Sequence, residues 1–172
     1  QDGGKPTSHD PPAGSPDTTR HTTPGTVPPS TGTAGPPPAV SGPAAGSGTG
    51  LTAAGSLGSG SNDYWTQSQV TVTVGGPLTS LKVELRVVAG DGVSSSGQFT
   101  TVNGSQITSS TGTENGCLVF RWILRPGQTL RPGTYTFAAQ FNHAAGNRDT
   151  SGDGYQVTGD GPGGQVTAGG GF

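Results

Sequence analysis

The chain has 172 residues, a formal net charge of −2 from 8 basic and 10 acidic side chains, one Cys and no Met. So few charges leave no basic patch for nucleic acid and no polybasic stretch for anionic lipid. One Cys excludes an internal disulfide and a cysteine-based metal site, and no apolar run is long enough for a signal or membrane helix.

With no Met, Gln1 is expected to be a product of processing or of design rather than an initiator. Residues 1–60 are dominated by Gly, Pro, Ser, Thr and Ala, and no aromatic residue precedes Tyr64. Pro28-Pro29 and Pro36-Pro37-Pro38 favour polyproline II, and the Gly-Ser stretches favour coil. Such a segment buries too little apolar surface to offset roughly 1–2 kcal/mol of backbone entropy per residue. It reads as a disordered linker, either unmodified or O-glycosylated in mucin-like fashion at Thr and Ser beside Pro.

Composition shifts at Ser61-Asn62-Asp63-Tyr64-Trp65, which opens a domain over residues 61–158. Val70, Val72 and Val74 alternate with Thr71 and Thr73, the pattern of a half-buried strand. Gly75-Gly76-Pro77 ends it. Leu81, Val83, Leu85 and Val87 then alternate with Lys82, Glu84 and Arg86, a strand with one apolar face. Gly90-Asp91-Gly92 turns the chain. Weaker strands are expected at 98–102 around Phe99 and at 106–109 around Ile107. Asn115-Gly116 signals a type I′ hairpin.

The most apolar stretch follows, from Leu118 to Phe141. Leu118, Phe120, Trp122 and Leu124 share one face of a core strand, and Val119, Arg121 and Ile123 the other. Apolar residues on both faces predict a strand covered on one side by a facing sheet and shielded on the other by a further segment or a partner. Tyr135, Phe137, Ala139 and Phe141 line one face of a second core strand. After a polar loop comes a short strand at 155–158. No apolar period of 3.6 persists over helical length. The result is an all-β domain, an antiparallel β-sandwich of about seven strands, with residues 159–172 as a disordered Gly-rich tail.

Leu130-Arg131-Pro132-Gly133-Thr134-Tyr135 resembles the tyrosine-corner entry of immunoglobulin-like sandwiches, in which a Tyr hydroxyl bonds back to the backbone upstream. The resemblance covers Thr66 to Thr158 in architecture. It departs from the family in lacking the cysteine pair, since Cys117 stands alone, and in placing Trp122 on a late strand. The Thr/Pro/Gly-rich arm, and the closing stretch Gly163-Gly164-Gln165-Val166-Thr167-Ala168-Gly169-Gly170-Gly171, resemble secreted and cell-surface proteins of actinobacteria. That implies an extracellular or cell-wall-associated location. Cys117 then either packs as a small apolar residue or forms an intermolecular disulfide.

The residues that can carry chemistry cluster in the loop after the best core strand, where sandwich loops commonly bind ligands. Asn142, His143, Asn147, Arg148, Asp149 and Asp153 are its polar groups. Two readings compete with a plain solvated loop in which Arg148 and Asp149 cap turns. One is a hydrolytic triad of His143, Asp149 and a Ser, which no nucleophile motif supports. The other is a Ca²⁺ site on Asp149 and Asp153, which lacks the EF-hand spacing. Tyr64 and Trp65 stand at the domain entrance, either as a plug closing the sandwich or as a ring stacking on a sugar.

The function expected is a non-catalytic secreted or surface binding module displayed on a flexible spacer. Its partner is expected to be a polysaccharide or cell-wall glycan, with ligand contacts from Tyr64, Trp65 and the loop. The alternative is a structural or adhesive domain with a protein partner, and a hydrolase comes third. No cofactor is expected apart from the Ca²⁺ alternative.

Overall fold

The computed structural model describes residues 50–90 and 92–172, together with the backbone pairing of Ala44–Ala45. The expected linker up to residue 49 and the Asp91 turn position lie outside the described residues. Every regular element described is a strand. In chain order they are β1 (Ala44–Ala45), β2 (Leu51–Leu57), β3 (Trp65–Val74), β4 (Ser80–Val88), β5 (Ser94–Thr100), β6 (Ile107–Glu114), β7 (Cys117–Leu124), β8 (Gly133–Asn142), β9 (Gly154–Gly161) and β10 (Gly164–Gly171). They form two five-stranded sheets, ordered β1-β2-β3-β8-β5 and β10-β9-β4-β7-β6, with every pairing antiparallel.

The period-two pattern decides which face of each strand turns inward. Val70, Val72 and Val74 of β3 and Phe137, Ala139 and Phe141 of β8 meet Val83, Leu85 and Val87 of β4 and Leu118, Phe120, Trp122 and Leu124 of β7 in one buried cluster. Trp122 and Phe137 touch across the inter-sheet gap, edge toward face, with centroids 5.5 Å apart. The two core strands read from the sequence therefore lie in opposite sheets, and residues 125–132 carry the chain from one sheet to the other. At the end of that crossover the Tyr135 hydroxyl donates to the Arg131 carbonyl at 2.9 Å, the bond that the resemblance to a tyrosine corner implies. Asn115 and Gly116 both have positive φ, 50° and 74°, and make the tight turn between β6 and β7.

Seven of the strands fall where the sequence places strands. The count of about seven is too low, because β2 and β10 complete the sheets in segments expected to be coil, and β1 adds a short pairing at the edge of β2. The domain accordingly begins by Leu51 rather than at residue 61, and the expected disordered tail over 159–172 is the end of β9, a turn and β10. Leu51 and Ala53, with Val166 and Ala168, are buried in the core.

Composition alone favours coil for these two glycine-bearing segments, but packing requires their glycines. A Cβ on Gly55 would stand 2.7 Å from the Gly171 carbonyl oxygen and 2.7 Å from the Tyr155 ring, and one on Gly170 would stand 2.8 Å from the Tyr155 hydroxyl. Bare backbone here lets Tyr155 reach across to donate to the Ala53 carbonyl at 3.1 Å. Phe172 packs on the same ring at 5.5 Å. A side chain at position 55 meets backbone that cannot yield cheaply, so Gly55→Val is expected to lower stability by roughly 1–3 kcal/mol. Gly112→Ala in β6, where an added Cβ meets nothing within 4 Å, is expected to be neutral or slightly stabilising. Urea midpoints of the two variants check this, and equal midpoints would contradict the close approach of β2 to β10.

The outer faces of the two sheets differ in kind. Outside the second sheet, Glu84 lies between its strand neighbours Lys82 (3.1 Å) and Arg86 (2.6 Å), and Arg121 of β7 donates to it at 2.8 Å. Arg121 also grips Glu114 of β6, with a second contact at 2.5 Å. Val119, expected to need a cover, is buried on this face with Arg86 opposite it in register, whereas Ile123 is left 45% exposed.

Burial pushes the Glu84 carboxyl up, but hydrogen bonds from Arg121, Lys82 and Arg86 outweigh it and bring it down to about 2. A depressed carboxyl contributes stability that is complete above its unfolded value and is lost as pH falls through the folded one. Stability should therefore fall between pH 4.5 and about 2, by roughly 3 kcal/mol from this group. Glu84→Gln should flatten that part of the stability–pH curve, as read from urea midpoints at stepped pH.

Candidate functional site

At one end of the sandwich the β2–β3 turn and the β8–β9 loop come together. The turn between β2 and β3 is fixed by Asn62, whose side-chain oxygen accepts from the Tyr64 N–H at 3.0 Å while its backbone pairs with Trp65. The β8–β9 loop is tied to this turn by two main-chain bonds. The His143 N–H donates to the Tyr64 carbonyl at 3.0 Å, and the Gly146 N–H donates to the Asp63 carbonyl at 2.9 Å. These bonds extend the β3–β8 ladder beyond the strands, so turn and loop face each other at a set spacing.

Between them opens a cleft of about 320 Å³ lined by Leu57, Ser61, Asn62, Asp63, Thr66, His143, Asn147, Arg148 and Thr150. Thr66 and His143 are buried within it, with Thr66 Oγ1 3.0 Å from His143 Nε2. His143 Nδ1 lies 2.8 Å from the Ala144 carbonyl. A carbonyl only accepts, so in the neutral ring Nδ1 carries the proton and Nε2 accepts from the Thr66 hydroxyl. The partner that orients the imidazole is thus a main-chain carbonyl. Asp149, the third member of the triad considered from the sequence, accepts instead from the Ser151 N–H at 2.9 Å. Bonds from the Ser151 amide and hydroxyl hold its carboxyl below the usual carboxylate range.

Arg148 and Asp153 form the rigid back of the loop. Asp153, 3% exposed, takes both fork arms of Arg148, one of them at 2.7 Å, and the Val88 N–H at 2.8 Å. Arg148 donates further to the Val88 carbonyl at 2.9 Å and lies over the Phe141 ring, 5.2 Å from its centroid. Both Asp153 oxygens are occupied, so a cation there would have to displace a guanidinium. Among the described residues, no three His, Cys, Asp or Glu side chains come together as a metal-binding group. Cys117 is a free thiol of intermediate burial.

The sequence-predicted ligand residues divide between two surfaces. His143, Asn147 and Arg148 line the cleft. Trp65 and Asn142 pair in register on the outer face of the first sheet, where Trp65 Nε1 donates to Ser96 at 2.9 Å. Tyr64 is 63% exposed at the turn that joins the two surfaces, and Asp149 is exposed on the loop. The cleft residues missed from the sequence are Leu57, Ser61, Asn62, Asp63, Thr66 and Thr150. Ser61-Asn62-Asp63 carried a turn signal, read only as a boundary; Thr66 carried none, because its role depends on His143 lying opposite.

No family model matches the chain, and no curated protein matches it. Among the described residues no helix is long and apolar enough to cross a membrane.

Removing one partner of a buried ion pair strands the other charge. Arg148→Ala and Asp153→Ala are therefore each expected to lower stability by roughly 3–5 kcal/mol. The double substitution should cost much less than their sum. A double-mutant cycle by chemical denaturation measures the coupling, and additive effects would contradict the pairing.

Proposed function

We propose that this chain carries a non-catalytic binding module of immunoglobulin-like type, secreted or displayed at the cell surface, whose end cleft takes a carbohydrate. The observation that carries the reading is the convergence of Ser61, Asn62, Asp63, Asn147 and Thr150 on one open cleft with an apolar wall at Leu57. Hydroxyls, amides and one carboxylate on a fixed frame suit the hydroxyl groups of a sugar, and a few placed polar groups against apolar surface are the usual make-up of such a site. The exposed Tyr64 ring beside Asp63 is available to cover a C–H face. The Tyr135–Arg131 bond and the two-sheet architecture support the immunoglobulin-like assignment. The non-catalytic reading is supported by a His143 whose second nitrogen is engaged by a backbone carbonyl rather than by a carboxylate. A structural or adhesive role with a protein partner is favoured by one observation, the exposed Ile123 on the other sheet.

The test is calorimetric titration of the full chain with soluble cell-wall and storage oligosaccharides. A shallow site of this kind should bind with dissociation constants on the order of micromolar to millimolar, about −8 to −4 kcal/mol. Asp63→Ala and Asn147→Ala should weaken binding without moving the melting temperature, because both side chains are exposed. No saturable heat with any glycan, together with capture of a protein partner lost in Ile123→Glu, would replace the carbohydrate reading by the adhesive one.

A further inference from the structure

Charge is divided between the two sheets without overlap. No strand of the β1-β2-β3-β8-β5 sheet contains Asp, Glu, Lys or Arg, whereas the opposite sheet carries Lys82, Glu84, Arg86, Glu114, Arg121 and Asp160 in its strands. Surfaces of soluble proteins normally intersperse both signs, and edge strands are normally blunted by Lys or Pro. Here β5, an edge strand, has neither.

The outer face of this uncharged sheet is shaped as well as neutral. The Trp65 indole crosses β8 to donate to Ser96 of β5 at 2.9 Å. Ser96 lies in a register shift between Ser95 and Gly97, a bulge that re-aims its side chain. Further along β5, Phe99 is 54% exposed and faces the same way, opposite Ala138 in register. Ser96, the residue that the Trp65 indole reaches, and Phe99 are three residues apart, roughly 10 Å along a strand.

Between them lies the carboxamide of Gln140. A Cβ on Gly97 would come within 2.9 Å of Gln140 Oε1, so the glycine leaves the notch that this amide occupies. Gln140 Nε2 donates to Gln67 Oε1 at 3.1 Å. The pair holds its two amide groups in fixed positions and leaves the Gln140 oxygen and the Gln67 amino group free to accept and donate.

We propose that this face is a second binding surface, a flat platform for an extended, uncharged polysaccharide chain. Trp65 and Phe99 are its stacking rings, and the Gln67–Gln140 pair and Asn142 are its hydrogen-bonding groups. The absence of charge selects the occupant. An acidic polymer or a charged protein surface would have to desolvate its charges against a face with no counter-ion to offer. A neutral glycan presents C–H faces for the rings and hydroxyls for the amides, which match both kinds of group present. The proposal rests on the carbohydrate reading above but not on the end cleft.

The experiment titrates the full chain with cellohexaose, laminarihexaose, chitohexaose and mannohexaose, and with polygalacturonate as a charged control, following the heat of binding, a readout that Trp65→Ala does not remove. At least one neutral hexamer should give a saturable change, and its dimer should bind more weakly because it cannot span both rings. Trp65→Ala and Phe99→Ala should each weaken binding by roughly tenfold or more. Thr111→Ala, on the opposite sheet, should leave it unchanged. Circular dichroism melts confirm folding, and Gln140→Ala provides a further variant that removes no ring. Loss of binding in Asp63→Ala and Asn147→Ala but not in Trp65→Ala or Phe99→Ala would overturn the platform and leave the cleft reading standing. A chain that sediments as a dimer, becomes monomeric in Phe99→Lys and gives no signal with any neutral hexamer would show that a second copy occupies the face, and would overturn it as well.

Discussion

The edge-to-face contact of Trp122 with Phe137 lies in the core between the two sheets. It joins β7 to β8, strands adjacent in sequence but in opposite sheets, and the inward rows of β3 and β4 pack around it. Burial of this aromatic and aliphatic surface supplies the main favourable term in the fold. It also fixes strand register, since a slip of one residue would turn Phe137, Ala139 and Phe141 outward. Everything at the ends and faces of the sandwich inherits its position from that register.

The two outer faces show the two ways a sheet can meet its surroundings. The second sheet satisfies Glu84 and Glu114 with three cationic side chains, and this network covers surface that the strand's own apolar residues would otherwise present. The first sheet has no charge and instead carries amides, hydroxyls and two aromatic rings. The charged face supplies its own counter-ions, while the uncharged face meets solvent with neutral polar groups and rings. The division lies in the amino-acid choice of individual strands, and it acquires meaning only when the strands are sorted into sheets.

At the end of the sandwich, a different device operates. The Arg148–Asp153 pair, buried and bonded to both backbone groups of Val88, pins the β8–β9 loop from behind. Main-chain bonds to Asp63 and Tyr64 pin it from the front. Side chains such as Asn147 are therefore offered to solvent from a rigid base, and a loop rich in Gly, Asn and Asp acquires defined geometry through contacts far away in sequence.

The sequence by itself determined the class of fold, because period-two alternation, the Asn115-Gly116 turn and the lead-in to Tyr135 are local signals whose meaning does not depend on distant residues. It also located the polar loop and the inward row of each core strand. It could not reveal β2 and β10, since runs such as Leu-Thr-Ala-Ala-Gly-Ser-Leu and Gly-Gln-Val-Thr-Ala-Gly-Gly-Gly have low intrinsic strand propensity. Only the close approach of these strands around Tyr155 shows why their small residues are needed. Tertiary structure alone decided that Asp153 is a buried partner of Arg148, that Thr66 meets His143, and that Trp65 and Phe99 share a face. The physical reason is the same in each case. A side chain's burial and partners are set by which strands become neighbours, and strand order in a sandwich is a long-range property that local pattern does not encode.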